Sequence, residues 1–120
     1  MRGILLISHG SRSLKTKKQI KALVKKLRSR LDTPIVEYAF LELASPSIPE
    51  GIKNCVKKGA KEVIVLLNFL NAGRHVNHDI PQIIRATKKN YPRIPIRLTN
   101  PVGQHERVVE LFLDMIQSYS

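Results

Sequence analysis

Four histidines, at positions 9, 75, 78 and 105, are the side chains of this sequence best suited to chemistry near neutral pH. A neutral imidazole is the commonest side-chain ligand for divalent transition metals, and it is also a base that works near physiological pH. His9 stands in Ser8-His9-Gly10-Ser11-Arg12, directly after an apolar run, where the small residues Gly10 and Ser11 let a ligand come close to the backbone. His75 and His78 are three apart, so a helical turn sets them on one side. The H-E-x-x-H pattern of zinc proteases is absent. The single cysteine, Cys55, excludes an intrachain disulfide and a cysteine-based zinc cluster. With Ile52 and Val56 beside it, Cys55 reads as a small core residue on a helix. Histidines without four firm ligands point to a site that holds a metal in passing, because structural zinc sites are closed.

What must position these side chains is an alternation of strands and helices. Residues 3–7 (GILLI) form a continuous apolar run, as expected for a parallel strand covered on both faces. From 13 to about 31, Ile20, Leu23, Val24, Leu27 and Leu31 share one face of a helix whose outer side is lysine-rich. Residues 34–41 give a second strand; Ser45-Pro46 opens a second helix, with Ser47 and Glu50 spaced as a capping box and Gly59 closing it. Residues 63–67 (VIVLL) are the most strand-like run. A long loop, 68–77, then leads to Asp79, read as the cap of a third helix with Pro81 in its first turn. Residues 94–98 make a fourth strand, at an edge because Pro95 cannot donate a ladder hydrogen bond. In the last helix Val108, Leu111, Phe112, Met115, Ile116 and Tyr119 form one stripe, read as core.

This order implies a parallel sheet with right-handed crossovers. The expected fold class is α/β: an open three-layer sandwich, a four-stranded, mainly parallel sheet with flanking helices, forming one domain over residues 1–120. Ligands of such sheets bind at the carboxyl ends of the strands. Ser8 to Arg12 follow the first strand, Glu42 the second, residues 68–78 the third and 100–105 the fourth, so all four histidines fall on one rim. So small a sheet leaves edges and helix faces to cover, and a dimer is expected.

Apolar residues make up 42% and charged residues 25% of the chain, which is ordinary for a globular protein and argues against a disordered chain. No run is long enough to span a membrane, and the N-terminus lacks the pattern of a signal peptide, so a cytoplasmic protein is expected. The formal charge of +12 favours anionic partners. Nucleic acid is one such partner, but no recognised binding motif is present and only three Phe and three Tyr are available for stacking.

The stretches ISHGSR at 7–12, FLELASPSIPEGI at 40–52, VIVLLNFLNAGRHVNHDIP at 63–81 and VGQHERVVELF at 102–112 resemble the short CbiX-type sirohydrochlorin chelatases, in the family's order and over most of the chain. The specific element is G-x-H-x-x-x-D-I-P at Gly73, His75, Asp79, Ile80 and Pro81, paired with the N-terminal SHGSR. The resemblance implies a homodimer, each subunit similar to half of a two-domain chelatase, that inserts a divalent metal (cobalt, nickel or ferrous iron) into sirohydrochlorin without ATP. Sirohydrochlorin is a carboxylate-rich tetrapyrrole, and the product would enter cobalamin, siroheme or coenzyme F430 type biosynthesis. It makes the metal a substrate and implies no permanently bound cofactor. It also assigns His9 and His75 as the metal-binding and catalytic pair, matches Glu42 to an acidic residue after the second strand, and sets His105 in a G-x-H segment before the last helix. Arg12 and Arg74 flank the two histidines and can each hold a carboxylate through two hydrogen bonds; with Ser11, Glu42 and His105 they complete the candidate substrate-binding set. The sequence departs from the family pattern at Leu67, where many relatives carry proline, lacks a histidine-rich insertion after the third helix, and has His78 at a variable position.

Three other readings compete. A phosphohistidine enzyme of the phosphoglycerate mutase group would need Arg-His-Gly after the first strand, where this chain has Ser8-His9-Gly10. A metal or tetrapyrrole carrier, or a basic nucleic-acid-binding α/β domain, would need no turnover at all.

Overall fold

The computed structural model describes residues 1–119. Its elements run β1 (Arg2–Ser8), α1 (Leu14–Arg28), β2 (Val36–Phe40), α2 (Ile48–Lys57), β3 (Glu62–Leu67), α3 (Ile80–Lys88), β4 (Ile96–Pro101) and α4 (Val108–Gln117). All strand pairs are parallel, in the order β2-β1-β3-β4. Period-two alternation divides the apolar strand residues between two cores. Leu5, Ile7, Val63 and Val65 pack with Ile48, Ile52, Ile80 and Ile84, the inner faces of α2 and α3. Ile4, Leu6, Val36 and Phe40 pack with Ile20 and Val24 of α1. The three-layer α/β sandwich expected from the sequence is therefore present, with two helices on one face of the sheet and α1 on the other.

Local chemistry explains the element ends. The Ser47 hydroxyl accepts the Glu50 N–H while the Glu50 carboxylate accepts the Ser47 N–H, the capping box expected for α2. Those hydrogen bonds hold the Glu50 carboxyl below the ordinary carboxylate range. Because the folded-state value is depressed, its stabilising contribution is complete above that range and is lost as pH falls through the folded value. Ser47→Ala is expected to cost about 1 kcal/mol in denaturant unfolding, and Glu50→Gln to flatten the acid limb of the stability profile. Cys55 lies in the core, where burial pushes its thiol up to about 12.

Three expectations are corrected. The fourth strand begins at Ile96, not 94, because Ile94 is held in a turn by Tyr91, and the Pro95 carbonyl accepts from Val63 at the start of the β3–β4 ladder. Asp79 does not cap α3. A π-helical turn, His75–Asp79, precedes the helix, so the backbone is already helical at Asp79, and the Ile80 N–H bonds back to the His75 carbonyl. His75 thus stands on the first turn of a helix and not in an open loop. Finally, the stripe on α4 is not core: Leu111, Phe112, Met115 and Ile116 are each more than half exposed. Burying a side chain of this size is worth roughly 1.5–3 kcal/mol, so α4 leaves a large driving force unused. Its projection also lengthens the molecule to 52 Å against 33 and 29 Å on the other axes.

Candidate metal centre

Strand order decides where chemistry sits. From β1 the chain moves to β2 on one side, then crosses back to β3 on the other, so the loops after β1 and β3 part at the middle of the sheet. Such a switch point leaves a crevice at the carboxyl ends of the strands. His9 follows β1 there and His75 follows β3, with Ile7 of β1 paired to Leu67 of β3. The Asn68 N–H donates to the Ile7 carbonyl, and its side-chain amide donates to the Ser8 hydroxyl at 3.1 Å, tying the two strand ends together. The imidazoles lie with ring centroids 5.2 Å apart, tilted by 47°.

The loop after β2 brings a carboxylate to the same place. The Glu42 N–H donates to the His9 carbonyl, and Glu42 Oε1 lies 2.9 Å from His9 Nε2. This approach needs Gly10. Its φ is +110°, and a Cβ built there would fall 1.7 Å from the Glu42 carbonyl oxygen. His9, Glu42 and His75 all reach solvent and offer ligand atoms within 4.8 Å of one another, the group of this kind among the described residues. Bonds of about 2.1 Å hold ligand atoms of one metal roughly 3–4 Å apart, so modest side-chain rotations close the set. Two imidazoles and a carboxylate suit a borderline divalent ion, and three protein ligands leave a coordination position open, as in catalytic and not structural sites.

Asp79 is the further residue at this site that the cap reading hides. Its carboxylate receives His75 Nδ1 at 2.8 Å and His78 Nδ1 at 3.1 Å. Hydrogen bonds from His78 and His75, with a smaller charge contribution from Arg74, hold the Asp79 carboxyl below the ordinary range. An ionised acceptor on Nδ1 fixes the proton there and leaves Nε2 of His75 with the free lone pair. The spacing of His75 and Asp79, four apart on a helix, is the feature that reveals this contact in the sequence.

The other candidates are more dispersed. The Ser11 hydroxyl accepts the Ser13 N–H and so shapes the entry to α1. Arg12 is exposed beside the His9 loop, and Arg74 is largely solvated, its Nε 4.0 Å from Asp79 Oδ1. Glu42, read from the sequence as a substrate contact, lies with His9 and His75. His105 stands apart from the three; its Nδ1 accepts the Arg107 N–H, and it borders a groove on the α1 face of the sheet.

The sequence model of the CbiX family matches residues 3–119. The chain belongs to the CbiX family. It is 34% identical over 116 residues to a sirohydrochlorin ferrochelatase of Priestia megaterium, covering 97% of this chain and 44% of that protein. A sirohydrochlorin cobaltochelatase of Methanocaldococcus jannaschii is 28% identical, with 95% of this chain and 96% of that protein covered. The crystal structure of the sirohydrochlorin chelatase SirB from Bacillus subtilis subspecies spizizenii in complex with cobalt superimposes with a TM-score of 0.86 at 33% identity, covering 98% of this chain and 50% of that one. The chain therefore spans about half the length of the first curated relatives it matches, and nearly all of the shorter archaeal one. For a CbiX-family site of this geometry, Asp79→Asn is expected to weaken metal binding about 10–100-fold, read by titration with cobalt(II), while thermal stability changes little.

Proposed function

We propose that this CbiX-family protein is a sirohydrochlorin metal chelatase: it inserts a divalent ion of the cobalt, nickel or ferrous-iron type into the metal-free macrocycle without ATP, as a homodimer in the cytoplasm. The observation that carries this reading is the open group of His9, Glu42 and His75 at the switch point of the sheet. Names of relatives support the substrate, and two of them support iron and cobalt as the metal.

The reaction exchanges two pyrrole N–H protons for one metal ion, so a working site must deliver the ion and accept protons. His9, Glu42 and His75 hold the ion through two nitrogens and an oxygen, weakly enough to give it up. As the ion passes to the pyrrole nitrogens, His75 Nε2 and the Glu42 carboxylate are freed to take the protons, and exposure at the rim returns them to water. Asp79 keeps the His75 ring oriented and stabilises it when charged. The substrate's carboxylates are drawn by the net charge of +12, and Arg12 and Arg74 lie next in sequence to the metal-holding histidines. Ser11 and His105 are the remaining candidate contacts.

The test is anaerobic titration of the protein with sirohydrochlorin and each metal in turn, followed by absorbance. Accelerated conversion of the metal-free spectrum supports the chelatase. Binding of both ligands at the uncatalysed rate supports a carrier, and no binding of either overturns both.

A further inference from the structure

We infer that the divalent ion reaches the His9–Glu42–His75 group through the cavity between the β2 loop and α3, past Gln82, by a path that the macrocycle does not use. This deepens the chelatase reading and rests on it for the two substrates, of which one is a cation and the other carries carboxylates.

The first observation is the place and size of the cavity. It holds about 330 Å³ and is lined by Leu41, Glu42, His75, Asp79, Gln82 and Ile83. Glu42 and His75 belong to the three-residue group, so the cavity reaches two of the three side chains that hold the ion. Glu42 and Gln82 are exposed, so it also opens to solvent. A water takes up about 30 Å³ in the liquid, and an ion with six waters needs roughly 180 Å³, which fits. Cavities for drug-sized ligands run from about 300 to 1,000 Å³, and four pyrrole rings with their carboxylate arms exceed what this one can take.

The second observation is charge. The chain has 21 Lys and Arg against 9 Asp and Glu, and the resulting +12 repels a dication from most approaches while it draws the macrocycle. The cavity wall reverses that sign locally, for it contains two carboxylates and no lysine or arginine. Hydrogen bonds from His78 and His75 keep the Asp79 carboxyl ionised at neutral pH. Arg74, 4.0 Å from Asp79, is not part of the wall. Substrate carboxylates are therefore repelled where the ion is attracted, and the wall separates the two substrates by sign.

Gln82 is the residue whose role this defines. It follows Asp79 by three residues, about one turn of α3, and belongs to the same wall as His75 and Glu42. Its amide oxygen accepts hydrogen bonds from the waters of a passing ion, without the charge by which a carboxylate would retain the ion short of the histidines. A lysine at the same point would oppose the ion with a fixed positive charge, and that contrast makes the position testable.

Stopped-flow mixing of the full chain with cobalt(II) alone tests the path apart from any insertion assay, at about 0.1 M salt, where the Debye length is about 10 Å. Gln82→Lys should slow association about threefold or more, and Gln82→Glu should speed it by a similar factor, with the melting temperature little changed. Lys89→Gln is the control. It shifts the net charge by as much as Gln82→Glu but lies about 10 Å further along α3, so association should stay as in the wild type. In insertion assays, Gln82→Lys should raise KM for the metal and not for sirohydrochlorin. Equal association rates in the wild type and both Gln82 variants overturn the path, as does an equal gain in Lys89→Gln, which would assign the effect to the field of the whole protein. A change confined to dissociation, or to KM for sirohydrochlorin, also overturns it, because Gln82 would then act on the bound ion or on the macrocycle. Cobalt(II) association that follows these expectations in a chain that inserts no metal would overturn the chelatase reading and leave the path standing.

Discussion

Replacing His75 by Ala is expected to lower the rate of metal insertion by about 10²–10⁴-fold, the range typical for loss of a positioned base, without unfolding the protein. The side chain is 48% exposed, so packing loses little. Function loses two things at once. One of three candidate ligands disappears from the His9–Glu42–His75 group, and the Asp79 carboxylate is left with His78 as its hydrogen-bond partner and Arg74 4.0 Å away. His78→Ala is the control. It removes the other imidazole on Asp79 but no member of the group, and the expected change in turnover is severalfold at most. Cobalt(II) titration and steady-state rates on both variants check the pair of outcomes. Unchanged turnover in His75→Ala would remove that residue from the mechanism, whereas equal losses in both would assign the role to Asp79.

What the sequence reveals and what it hides divide along physical lines. Strand and helix positions follow from periods of two and 3.6, and the α2 capping box from two residues, Ser47 and Glu50, that satisfy each other locally. The convergence of His9, Glu42 and His75 is not local, yet the rule that parallel strands open at a switch point brings their loops to one rim. Asp79 is harder to read, since an aspartate before Ile80-Pro81 fits a cap as well as a partner for the histidine four residues earlier. Only the π-helical turn, which makes the backbone helical before Asp79, decides between them. The last helix is hardest. Its pattern shows that Leu111, Phe112, Met115 and Ile116 share a stripe, but an apolar stripe has the same period whether it is covered by its own domain or by another copy.

The two glycines near His9 and His75 offer the sharpest contrast. Gly73, two residues before His75, opens the G-x-H-x-x-x-D-I-P element, yet a Cβ built there meets nothing within 4 Å and its φ is not in the left-handed region. Gly73→Ala is therefore expected to leave both stability and insertion nearly unchanged. Gly10, next to His9, is under opposite constraints. Its φ of +110° is one that residues with a Cβ rarely adopt, and strain of that kind costs about 1–3 kcal/mol. The added methyl would also stand 1.7 Å from the Glu42 carbonyl oxygen and 3.4 Å from the Phe40 side chain. The β2 loop must then retreat by more than an ångström, breaking the hydrogen bond from the Glu42 N–H to the His9 carbonyl and carrying the Glu42 carboxylate away from His9. A misplacement of about 1 Å in a reacting group can cost 10²-fold in rate. Gly10→Ala should thus reduce insertion by about that factor and lower the melting temperature, with metal affinity falling in parallel because a ligand has moved. Calorimetry and cobalt(II) titration of the two glycine variants side by side provide the measurement. A fully active Gly10→Ala would mean that Glu42 is not needed where the β2 loop now holds it.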